Sequence, residues 1–160
     1  MTRVDFYVNV PDRAAFACTI AGKAVAAGNR ALVLTADANE TVRVDRMMWC
    51  QPALAFVPHV RAHHRLAPET PVIVDHVTDP LPVDELLVNL TDEVPGPFAR
   101  FARLIEIVST DESDRQRARL RWRHYSERGY PLQSHDMAVH AAAAPRARRA
   151  ASRPVDDPSR

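Results

Sequence analysis

Three arginines repeat every four residues late in the chain, Arg115, Arg119 and Arg123, and Trp122 stands among them. At that spacing guanidinium groups line one side of a helix. A planar guanidinium holds both oxygens of a carboxylate, and an indole beside it offers an apolar wall. The pattern therefore fits an acidic ligand that also carries an apolar group. The plainer alternative is a solvated basic face beside an ordinary core tryptophan, and spacing alone favours that one.

The element that must position these residues is a helix from Ser109 to Gly129. Ser109 with Glu112 forms a capping-box pattern, and Asp111, Glu112 and Asp114 suit the positive end of the helix. Gly129 before Tyr130-Pro131 reads as the stop. Ala118, Trp122 and Tyr125 share the face that packs inward, and the arginines follow its border. Upstream, Arg3 to Val10 alternates like a strand, and Ala14 to Ala27 reads as an amphipathic helix ending at Gly28-Asn29. Ala31 to Leu34 is a short apolar run, as in a central parallel strand, and Asp37 or Asn39 caps a second helix reaching Trp49. Val72 to Asp75, Leu86 to Leu90 and Leu104 to Val108 read as further strands. A short helix is expected from Pro97 to Arg103, and a long connection without structure of its own from Pro52 to Pro71.

This order predicts an α/β fold: a single open, mainly parallel sheet with helices on both faces. It covers residues 1–139. Residues 140–160 form an Ala/Arg/Pro-rich tail with no apolar periodicity, expected to be disordered and dispensable for folding.

Several function classes are excluded by what the chain lacks. The fold is Rossmann-like, but its first strand-to-helix turn, NVPDRAAF, has no glycine, and none of Gly22, Gly28, Gly96 and Gly129 makes a phosphate loop. No cofactor is expected. His59, His63, His64 and His76 stand without Cys or carboxylate at zinc spacing, so they read as solvated loop residues and no metal is expected. Net charge is +1, lysine occurs once, and the two cysteines, Cys18 and Cys50, read as buried reduced thiols inside helices. The N-terminus reads as a strand rather than a leader, and no run suits a membrane, so the chain is placed in the cytoplasm. Asp75, His76 and Asp92 follow strands, where α/β enzymes place acids, yet such residues more often form turns, and no catalytic residue is assigned. Trp49 and Phe56 flank a bend at Pro52 and read either as core or as a partner surface.

FYVNV at Phe6, GNRALVLTAD from Gly28, Val44-Asp45 through Trp49 and Pro52 to FVPH at Phe56 to His59, and R...R..W..YS..G from Arg115 to Gly129 occur in that order. Together they resemble the chi subunit of bacterial DNA polymerase III holoenzyme over roughly residues 3–135. The resemblance implies an α/β accessory subunit without catalytic activity. It implies one surface for the acidic C-terminal tail of single-stranded DNA-binding protein, which ends in Asp residues, Pro-Phe and a free carboxylate. Carried over by position, that surface uses Val108, Arg115, Arg119 and Trp122. A second surface, for the psi subunit that links chi to the clamp loader, uses Trp49 and Phe56. These two rings are expected close together and at least partly exposed. DNA is then met only indirectly. The family often has Lys at the Arg115 position and Tyr at the Trp122 position, so charge and aromatic wall are kept.

Two other classes remain distinct from this adaptor. A direct single-stranded nucleic-acid binder needs stacking aromatics interleaved with the arginines, whereas Trp122 and Tyr125 are assigned to the core face. A small α/β enzyme needs one concavity joining Asp75, His76 and Asp92.

Overall fold

The apolar runs of the chain pair into a seven-stranded sheet, ordered β3-β4-β2-β5-β6-β1-β7 among the described residues. The computed structural model describes residues 1–50 and 57–139. Its strands are β1 (Arg3–Val10), β2 (Ala31–Leu34), β3 (His59–Val60), β4 (Val72–Asp75), β5 (Leu86–Asn89), β6 (Arg103–Ser109) and β7 (Leu132–Asp136). Every pairing is parallel. The interior strands β2, β4 and β5 are buried throughout, which accounts for the apolar runs ALVL, VIV and LLV that open them.

Helices α1 (Arg13–Ala26) and α2 (Ala38–Cys50) cover one face. Ala17, Ile20 and Ala21 of α1 and Val44 and Met48 of α2 pack there with Val33, Val74, Val88 and Ile107. Asp12 caps α1 by accepting from Ala15 N at 3.1 Å, and Asp37 accepts from Glu40 N at 2.8 Å at the start of α2. Gly28, at φ 79°, turns the chain out of α1. Helix α3 (Glu112–Glu127) covers the other face with Ala118 and Tyr125, joined by Phe98 and Phe101, over Phe6, Leu32, Leu87 and Leu104.

Several elements differ from the sequence expectation. Strand β6 extends to Ser109, so Ser109 does not cap α3 and the capping box does not form. Instead Asp114, from inside the helix, reaches back and accepts from Ser109 N at 2.8 Å. The described part of the long connection, residues 57–71, holds β3 and a 3-10 turn at Ala67–Glu69. The helix expected at Pro97 is one 3-10 turn, Phe98–Arg100, because β6 begins at Arg103. Strand β7 was not legible: Leu132–Asp136 has no apolar alternation, and it adds to β1 through the parallel ladder, with His135 stacked on Tyr7 at 4.6 Å. Cys18 is buried, and burial pushes its thiol up to about 11; Cys50, expected buried, is exposed at the end of α2. The tail from residue 140 onward lies outside the described residues.

A buried polar cluster ties α3 to the sheet. Asn89 and Glu106 are register partners on β5 and β6, and Glu106 is fully buried. Asn89 Nδ2 donates to both Glu106 carboxylate oxygens at 3.0 and 3.1 Å. From α3, one turn apart, Arg121 Nε donates to it at 3.0 Å and the Tyr125 hydroxyl at 2.7 Å. Burial pushes the Glu106 acid up, against the pull of the Arg121 guanidinium and the Asn89 and Tyr125 donors. Removing one partner leaves the other unpaired in a dry interior. Arg121→Met is therefore expected to cost about 3–5 kcal/mol in urea unfolding, while Arg123→Ala, at an exposed position, stays within about 0.5 kcal/mol. Equal effects would contradict the pinning of α3 by Glu106.

Candidate peptide-binding site

The Glu106 cluster sets where the next turns of α3 lie. Phe6 of β1 is the register partner of Glu106, and Trp122 packs edge-on against it with ring centroids 5.0 Å apart. Val108, two residues along β6, lies on the same face of the sheet. A concavity of about 330 Å³ opens between α3 and strands β6, β1 and β7. Phe6, Val8 and Val108 line it from the sheet, and Ala118 and Trp122 line it from the helix. Arg115, Arg119, Asn9 and Ser134 supply its polar lining. The four residues expected to act together, Val108, Arg115, Arg119 and Trp122, thus border one cleft; Arg123 does not line it.

A local irregularity shapes the rim. The β1–β6 register shifts between Tyr7 and Val10, and Asn9 sits there at φ 58°. A bulge of this kind re-aims side chains, and Asn tolerates the left-handed region better than most residues. Asn9 Oδ1 accepts from Arg115 Nη2, while Asn9 Nδ2 donates to Asp136 of β7 at 2.9 Å. Arg115 is thus held over the cleft by a neutral amide. The Arg119 side chain is 69% exposed, more open than its place beside Trp122 led one to expect. Nothing in a single sequence marks Asn9 or Ser134, because their roles come from the bulge and from the unpredicted β7.

Comparison with known proteins decides the family. The model of the family described as DNA polymerase III chi subunit, HolC, matches residues 1–133. The chain belongs to that family. The DNA polymerase III subunit chi of Pseudomonas aeruginosa is 39% identical over 140 residues, covering 84% of this chain and 96% of that protein. Those of Haemophilus influenzae and Escherichia coli are 24% and 28% identical, over 76% and 72% of this chain and 85% and 79% of theirs. As a chi subunit, the chain is an accessory subunit of DNA polymerase III, active in DNA replication. No helix among the described residues is long and apolar enough to cross a membrane.

The other expected chi residues lie elsewhere. Trp49 is 59% exposed near the end of α2, and its ring meets His59 edge-on at 5.2 Å. Phe56 lies outside the described residues. His59, expected to be solvated, is buried at the start of β3, with Nε2 3.0 Å from Asp45 of α2. Among the described residues no cluster of three or more His, Cys, Asp or Glu side chains could hold a metal.

His76 and Asp92 line a separate crevice of about 430 Å³ near the carboxyl ends of β2, β4 and β5. Asp75 does not line it. Its carboxylate is buried and accepts from Arg61 Nη2 at 3.0 Å, Ala62 N at 3.0 Å and His76 N at 2.8 Å. It fastens the segment after β3 to the end of β4. Burial alone would raise the Asp75 acid, but Arg61 and the two amides outweigh it and hold it below the ordinary 3.8. A depressed acid adds stability that is present above its unfolded value and lost as pH falls through the folded one. Asp75→Asn is therefore expected to lower Tm at pH 7, with the gap to the parent closing below pH 3.8. A gap that stays constant from pH 7 to pH 3 would contradict a charged, anchoring Asp75.

Proposed function

We propose that this chi subunit is a non-catalytic replisome adaptor in the cytoplasm. Its α3 cleft receives the acidic C-terminal tail of single-stranded DNA-binding protein, and Trp49 and Phe56 meet the psi subunit, which links it to the clamp loader. DNA is then contacted only through these partners. One observation carries the reading: two arginines and an indole border one cleft that has apolar residues on its sheet side. An acidic peptide ending in phenylalanine needs that combination, an apolar recess for the ring and cations at its mouth. In this reading the phenyl ring enters against Phe6, Val108 and Trp122, Arg119 holds the terminal carboxylate, and Arg115 meets aspartates further back.

A direct nucleic-acid reading fits less well, because the Trp122 and Tyr125 rings are turned toward Phe6 rather than stacked outward between arginines.

Calorimetric titration with an acidic peptide ending in Asp-Ile-Pro-Phe tests the assignment. Arg119→Ala is expected to weaken binding about tenfold, because a hydrogen bond to a charged group is worth roughly 1.5–3 kcal/mol. Arg123→Ala, outside the cleft, should cost much less, since it faces no ligand group and a solvent-screened attraction is worth about 0–1 kcal/mol. Amidating the peptide's terminal carboxylate should weaken the parent comparably and add little to the Arg119→Ala loss. Equal effects at Arg119 and Arg123, without coupling to the carboxylate, would reduce the site to a diffuse basic face.

A further inference from the structure

We propose that Glu112 is a built-in competitor for the acidic ligand of the α3 cleft, an internal carboxylate that an incoming one must displace. The inference rests on the reading of the cleft given above. Glu112 is the first residue of α3. Its side chain spans both cleft cations: Oε2 lies 3.9 Å from Arg115 Nη1, and Oε1 lies 3.5 Å from Arg119 Nη1. The two arginines are thus bridged by one carboxylate at the mouth of an otherwise open cleft. Both contacts are long and exposed, with Glu112 60% accessible, so the pairing is weak and displaceable.

The two arginines are prepared differently. Arg115 also donates to the neutral Asn9 amide, which orients it without cancelling its charge. For Arg119 the contact to Glu112 is the ion pair found among the described residues. A ligand carboxylate that takes Arg119 Nη1 therefore competes with Glu112 for it. The free helix gains from that acid meanwhile, because a carboxylate at a helix N-terminus is favoured by the dipole. Glu112 thus steadies the empty site and sets a threshold on affinity.

Glu127 supplies the control. It is an exposed acid on the same helix, fifteen positions and roughly 22 Å further along, beyond a Debye length of about 8 Å at physiological salt. Glu112→Gln and Glu127→Gln remove the same charge from the chain. Titrated with the acidic phenylalanine-ended peptide, Glu112→Gln is expected to bind roughly two- to fivefold more tightly than the parent, and Glu127→Gln nearly as the parent. In an Arg119→Ala background the gain from Glu112→Gln should shrink, because one of the two cations it masks is gone. Thermal melts of each variant show that the fold is intact. Binding by Glu112→Gln equal to or weaker than the parent, or an equal gain in Glu127→Gln, would overturn the competitor role while leaving the cleft assignment standing. Absence of binding in the parent and every variant would overturn both.

Discussion

One buried carboxylate organises the functional side of this chain. Glu106 is fully enclosed, and a group of that kind is tolerated only when donors surround it. The donors come from two elements: Asn89 from β5, and Arg121 and Tyr125 from α3. Because Arg121 and Tyr125 are one helical turn apart, they fix both the rotation of α3 and its position along the sheet. Apolar packing by Ala118 and Trp122 alone would tolerate small slides. A directional polar cluster does not, because each slide unpairs a group in a dry interior.

The cleft follows from that pinning. With Tyr125 locked over Glu106, Trp122 falls against Phe6, and Arg115 and Arg119 fall along the border. The sheet contributes its own irregularity. The bulge at Asn9 and the edge strand β7 bring Asn9, Asp136 and Ser134 to the same rim. A hydrogen-bonded frame thus holds exposed cations along the cleft.

Much of this frame was legible in the sequence, for physical reasons. Ala31–Leu34, Val72–Val74 and Leu86–Val88 are apolar runs because parallel strands buried on both faces leave no exposed side; the polar Asp75 and Asn89 that end two of them are buried with hydrogen-bond partners. Gly28 marks the end of α1 and Asp37 the start of α2 because a helix must turn left-handed to stop and must satisfy its free amides at the start. The border of α3 was visible as a period of four. What stayed hidden depended on tertiary pairing. Arg121 looks like one more surface arginine until Glu106 is brought beneath it, and Glu106 looks like a polar break in the run LIEIV. Strand β7 owes its existence to the β1 edge rather than to its own composition, and Ser109 carries the signature of a cap because the extra length of β6 has no local signal. The burial of His59 has no local signal either, since it depends on Asp45 of α2 lying beside it.

A buried polar cluster, a positioned helix and a cleft with apolar and cationic sides are thus one unit. The proposed occupant of that cleft is an acidic, phenylalanine-ended peptide. The most direct measurement is a crystal structure of the full chain with such a peptide bound. The terminal phenyl ring is expected against Phe6, Val108 and Trp122, and the free carboxylate on Arg119. A peptide seated elsewhere, for instance in the crevice of His76 and Asp92 or along Arg123 with its ring in solvent, would contradict it.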